Sequence, residues 1–205
     1  MNRESIQKFL DYNYVPLTKS QTVARLFTVF LLSGVCWFLQ RNNLSATITL
    51  LIANIIVLSI LIYIWFVGVN RKNSRFLWDS VTFFYIPILL NIIAYCILTW
   101  STGSDMLLLI LLILALVICY LVSALIVLWN IYRNRYAQEN AHSNSIMPYF
   151  FALLGLLFAK ITSKAFDNQP GMLIIGASLL IISYLVAIGW TSIIRLILNW
   201  NMHNS

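Results

Sequence analysis

This chain has very little charge. Only 9% of its 205 residues are Asp, Glu, Lys or Arg, whereas 61% are hydrophobic and the mean hydropathy is +0.87. A water-soluble domain carries roughly 25% charged residues because its surface must be solvated. A soluble globular protein is therefore excluded, and most of the surface is expected to face lipid. The formal net charge is +7, but no soluble basic face exists to carry it, so no nucleic-acid partner is expected. Histidine is almost missing: His142 and His203 stand alone, both in polar segments. Cysteine is confined to Cys36, Cys96 and Cys119, each inside an apolar run, with no C-x-x-C and no Cys/His cluster. Neither a zinc site nor a redox motif is signalled. The three thiols read as small apolar packing residues, with a Cys36–Cys96 disulfide as the alternative.

Catalytic patterns are missing as well. The sequence contains no P-loop, no G-x-S-x-G and no H-E-x-x-H. Hydrolysis inside a membrane needs a nucleophile with its base, or paired aspartates, at one depth. Ser104 has no histidine on its side of the membrane, and Asp79, Asp105 and Asp167 stand at the ends of apolar runs. No catalytic residue, cofactor or metal is expected, and the chain reads as a non-enzyme. The first twenty residues lack an apolar stretch and a small-residue cleavage site, so insertion is expected to use the first span itself.

The chain does contain six apolar runs, approximately Val23–Gln40, Thr47–Val69, Trp78–Trp100, Met106–Tyr132, Ile146–Phe166 and Gly171–Asn199. Each reaches or approaches the roughly 20 residues that a helix needs to cross a bilayer core. Barrel strands are excluded because the runs are continuously apolar rather than alternating. The expected fold is an all-α integral membrane bundle of six transmembrane helices, one polytopic domain over residues 1–205.

The basic residues set its orientation. "VGVNRKNSRF" concentrates Arg71, Lys72 and Arg75, and "IYRNRYAQEN" holds Arg133 and Arg135. With the N-terminus inside, ten of the 13 basic residues fall on the cytoplasmic side, and only Arg41, Lys160 and Lys164 fall outside. The positive-inside rule then places both termini in the cytoplasm of a plasma (cytoplasmic) membrane. Residues 1–20 are expected to be cytoplasmic. Within them Ile6, Phe9 and Leu10 share one helical face, as in a short amphipathic helix lying in the interface.

Polar residues inside the runs are few. Asn54, Asn91 and Lys160 sit roughly 9–14 Å from the outer ends of their spans, at 1.5 Å per residue. Asp105 and Asp167 would flank the mouth of any pocket they form. Together the five define a candidate outer polar pocket. The competing reading has the asparagines holding helices together and Lys160 snorkelling to the interface. Two small-residue stripes, Ala115–Cys119–Ser123 and Ser183–Ala187–Thr191, are candidate helix-packing faces.

Two functional classes follow. The first is a non-catalytic interaction or accessory subunit, or an immunity protein against a membrane-active toxin. Its partners are the lipid bilayer and another membrane protein or a membrane-active peptide. The alternative is a small-solute transporter or substrate-binding membrane subunit that uses the outer pocket. The scarcity of broken helices counts against it, since only Pro87 interrupts a span.

Overall fold

The computed structural model describes residues 3–11, 19–67, 72–99, 105–133 and 170–204, and they form helices and turns with no strand among them. The helices are α1 (Arg3–Asp11), α2 (Lys19–Gln40), α3 (Leu44–Val67), α4 (Lys72–Leu98), α5 (Met106–Tyr132), α6 (Pro170–Ala187) and α7 (Ser192–Asn204). A 3₁₀ turn, Ile188–Thr191, joins the last two. Five stretches are long and apolar enough to cross a membrane, in α2, α3, α4, α5 and the combined α6–α7. The expected span Ile146–Phe166, and with it Lys160, Lys164 and Asp167, lies outside the described residues.

In lipid a backbone N–H has no water to turn to, so continuous apolar runs close their hydrogen bonds within one helix. The ends are set by local chemistry. Asp105 caps α5, its Oδ1 accepting from the backbone N–H of Leu107 at 2.9 Å and of Leu108 at 3.2 Å. Asn43 Oδ1 accepts from the Ala46 N–H at 3.2 Å where α3 begins. The Thr47 hydroxyl closes the α2–α3 turn onto the Gln40 carbonyl at 2.9 Å. Helix α4 starts at Lys72, well before the apolar run opens at Trp78, because its polar first turns carry an Arg75–Asp79 pair at i,i+4.

Helix α4 is the axis of the bundle. Half of its apolar window is buried, against 17% for α3 and 22% for α2. Helix α2 runs parallel to it: Arg25 meets Asp79, Cys36 Sγ donates to the Leu89 carbonyl at 3.4 Å, and Gln40 Nε2 approaches Cys96 Sγ at 3.8 Å. Helices α6 and α7 run antiparallel to it, with Gly176 against Leu98, Ser183 against Asn91, Gly189 against Phe83 and Asn199 against Asn73. Helix α5 is also antiparallel, tied by Tyr120 Oη donating to the Phe84 carbonyl at 2.7 Å. Helices α5 and α6 therefore start at the same end of the bundle and run in the same direction.

Two cores flank this axis. Val29, Cys36, Leu61, Trp78 and Leu89 bind α2 and α3 to one side. Leu98, Leu112, Cys119, Leu180 and Tyr184 join α5 and α6 to the other. The small-residue stripes face inward: Ala115, Cys119, Ser123, Ser183 and Ala187 are buried, and half-buried Thr191 donates to the Ile188 carbonyl at 3.1 Å. A third cluster docks α1 on the bundle, with Phe9 against Val127, Ile131 and Ile194. Phe9 and Leu10 are buried, so the apolar face of α1 is turned onto α5 and α7 rather than onto lipid. All three cysteines are free.

The surface is inverted relative to a soluble protein. Phe30 and Phe66 are 66% and 80% exposed, whereas Asp79, Thr82, Asn91 and Ser183 are buried. Large apolar side chains outside and polar ones inside are stable only when the surrounding solvent is hydrocarbon.

Candidate functional site

The proline in α4 organises the centre of the bundle. Pro87 removes one intrahelical hydrogen bond and its ring crowds the preceding turn. The carbonyl left without that bond is Phe83's, and two neighbouring carbonyls of α4 accept side-chain donors from other helices. Tyr120 of α5 reaches the Phe84 carbonyl, and Ser183 of α6 donates to the Pro87 carbonyl at 2.9 Å. Asn91 Nδ2 donates to that same carbonyl at 3.0 Å and to Ser183 Oγ. On the opposite side of α4, one amide oxygen serves three helices: Asn54 Oδ1 on α3 accepts from Ser33 on α2 at 2.7 Å and from Tyr85 on α4.

At the end of the bundle where α2 and α4 begin, charge enters the interior. Asp79 is bracketed by two arginines, Arg75 at 2.7 Å on its own helix and Arg25 on α2. The side chains of Asp79, Arg75 and Arg25 are 12%, 14% and 27% exposed, so the cluster is part of the core rather than a solvated rim. The Arg25 guanidinium also lies 5.0 Å from the centre of the Phe83 ring. Asn73 and Asn199 close the same level between α4 and α7.

The opposite end is open. A cavity of about 860 Å³ lies between the end of α2, the start of α3, the end of α4 and the start of α5. Its polar lining consists of Gln40, Asn42, Asn43, Tyr95, Cys96 and Thr99. Below it an apolar cleft of about 350 Å³ runs between α4 and α5 from Ile92 and Leu109 to Phe84 and Tyr120. Ile92 and Leu109 line both spaces, so vestibule and cleft adjoin. Among the described residues, none that lines either space is charged. Two charged residues of the adjoining turns are otherwise engaged, Arg41 over the Phe38 ring at 4.6 Å and Asp105 on the α5 backbone.

The residues of the expected outer pocket are thus distributed. Asn54 ties α2, α3 and α4, whereas Asn91 ties α4 to α6 and lines the cleft. Asp105 caps α5 beside the vestibule, where Met106 forms part of the wall. Lys160 and Asp167 lie outside the described residues. Sequence reasoning passed over Gln40, Asn42, Asn43 and Thr99, and it took Cys96 as a packing thiol or as half of a disulfide with Cys36. It also treated Arg25 and Arg75 only as orientation signals. The i,i+4 spacing of Arg75 and Asp79 was the one available clue to the charge cluster. Among the described residues, no group of three or more His, Cys, Asp or Glu is placed to hold a metal ion. No protein-family model, curated protein or solved structure matches this chain.

Proposed function

We propose that this chain is a non-catalytic multi-pass protein of the plasma membrane that acts as an interaction or accessory subunit, immunity to a membrane-active toxin being one form of that role. One observation carries this reading: many polar groups inside the described spans are engaged within the chain itself, some with their own helix backbone and the longest-range ones with other helices. Asn54 with Ser33 and Tyr85, Asn91 with Ser183, and Asp79 with Arg25 are cross-links of a scaffold. They leave a broad apolar surface on α2, α3 and α5 for lipid or for another protein's helices.

The proposed topology has six spans and both termini in the cytoplasm. The basic asymmetry supports it. So does the direction of the helices: α5 finishes at the end of the bundle where α7 finishes, while α6 starts at the other end. A span at Ile146–Phe166 would join those two ends.

Photoreactive residues in place of Phe30, Phe66 and Leu125, cross-linked in native membranes, test the interaction reading. It expects one protein adduct, formed from one helix face and absent from the others. Lipid adducts alone from all three positions count against it. A second reading, a substrate-binding or transport subunit, is favoured by the cavity at the end remote from the Arg25–Asp79–Arg75 cluster, where no described lining residue is charged. The proposed topology turns that cavity outward.

A further inference from the structure

The vestibule and cleft adjoin at Ile92 and Leu109, and their polarity is graded along α4. Amide groups of Gln40, Asn42 and Asn43 and the Thr99 hydroxyl line the mouth, and Phe84, Leu112, Leu116 and Tyr120 line the far end. Each volume lies within the roughly 300–1,000 Å³ of small-molecule sites. From Ile92 to Phe84 the cleft descends about 12 Å along α4, at 1.5 Å per residue. An ionic head would lose its hydration at this mouth and find no counter-charge among the described lining residues, whereas an uncharged head finds amide donors and acceptors.

Asn91 marks the boundary. It is 8% exposed, it lines the cleft, and it neighbours Ile92, which both spaces share. Its amide orientation is fixed because Nδ2 donates to the Pro87 carbonyl, a group that can only accept. Its Oδ1 is buried with no hydrogen-bond partner. A buried acceptor without a donor is costly, and it stands where the polar head of an amphiphile gives way to its chain.

From this we infer that the space binds an uncharged single-chain lipid. Its hydroxyl-bearing head sits in the vestibule, one hydroxyl donates to Asn91 Oδ1, and its apolar chain lies along the cleft. This rests on the second reading above, in which the cavity is a small-molecule site facing outward.

The test uses the purified full chain in phosphatidylcholine nanodiscs with a monoacylglycerol carrying a photoreactive diazirine in its chain. The inference expects saturable cross-linking to residues 84–92 and 109–120, competed by unlabelled monoacylglycerol. A fatty acid of the same chain length should compete about tenfold less well, a difference of about 1.4 kcal/mol. Monoacylglycerol should also slow maleimide modification of Cys96, which lines the vestibule, while Cys36 and Cys119 are buried. Leu109→Trp, at the junction, should abolish cross-linking. Gln40→Leu and Thr99→Val should weaken it without filling the space.

Equal competition by the fatty acid, adducts spread over lipid-facing positions, or an unprotected Cys96 each overturn the lipid assignment. A second measurement separates that failure from failure of the underlying reading. If a membrane-impermeant maleimide modifies Cys96 from outside intact cells but no lipid protects it, the outward cavity stands and the lipid falls. If Cys96 reacts only in inverted vesicles, or from neither side, the outward cavity falls too.

Discussion

At Gly189 the 3₁₀ turn between α6 and α7 presses against α4 where a side chain has no room. A Cβ added there would lie 2.5 Å from Phe83 Cγ and 2.7 Å from both Cδ atoms. Ordinary carbon–carbon contact is about 3.5–4.0 Å, so the ring or the turn would have to retreat by about 1 Å. The ring cannot simply swing aside, because the Arg25 guanidinium lies against it and is itself held by Asp79. Overpacking of this kind costs about 1–3 kcal/mol, against which alanine returns up to about 1 kcal/mol of helix propensity. Gly189→Ala should therefore destabilise the protein by about 1–2 kcal/mol, lowering Tm by about 3–6 °C in a chain of this size.

Gly34 supplies the control, since nothing lies within 4 Å of an added Cβ there. Gly34→Ala should leave Tm unchanged or raise it by a few tenths to about 1 kcal/mol equivalent. Gly176→Ala should fall between the two, because the Leu98 side chain it meets at 2.7 Å can change rotamer. The assay is the folded, monodisperse fraction after heating in mild detergent, compared among the three variants and the parent. A Gly189→Ala protein as stable as Gly34→Ala would refute the close packing of α4 on the turn, and with it the antiparallel register of α6–α7.

Removing the carboxylate of Asp79 leaves Arg25 and Arg75 facing each other in a half-buried site. Asp79→Asn should cost about 2–3 kcal/mol, short of the full penalty for a buried pair because Arg25 is partly exposed, and Arg25→Met in the same chain should recover part of it. Heat-stability of the two variants in detergent checks this, and an Asp79→Asn protein with unchanged Tm argues against the cluster. Asn54→Leu breaks two interhelical hydrogen bonds and should cost about 0.6–2 kcal/mol. Its effect should be non-additive with Tyr85→Phe, and strict additivity would separate the two residues. Phe9→Ala should release α1 from α5 and α7, so that a protease added to the detergent-solubilised protein removes residues 1–11 faster than from the parent while the rest resists. Equal cleavage rates would mean that α1 is not docked through Phe9.

How much of this was legible beforehand depends on which contacts sequence can report. The helices were legible because lipid leaves a continuous apolar run no other way to satisfy its backbone, and the buried faces of Ala115–Cys119–Ser123 and Ser183–Ala187 followed from four-residue spacing. Asn54 and Asn91 were legible as intramembrane polar groups, but depth alone suggested one pocket. Depth fixes height and says nothing of azimuth. Tyr85, which binds Asn54, precedes Asn91 by six residues on α4, a rotation of about 240° beyond a whole turn, so the two asparagines serve different neighbours. Arg25 lies far from Asp79 in sequence, and only the parallel packing of α2 on α4 brings them together. The vestibule was hidden for the same reason. Gln40, Asn43, Cys96 and Thr99 are uncharged residues at the ends of separate runs, and no local pattern links them.

The claim on which the rest depends is a polytopic bundle with six crossings and both ends in the cytoplasm. Dual-reporter fusions after Asn140 and after Asn168 test it most directly, because the two positions bracket the span expected at Ile146–Phe166, with fusions after Asn73 and Gly103 as references. The account predicts a cytoplasmic signal at Asn73 and Asn140 and an external one at Gly103 and Asn168. An external signal at Asn140, or the same side for Asn140 and Asn168, would contradict it.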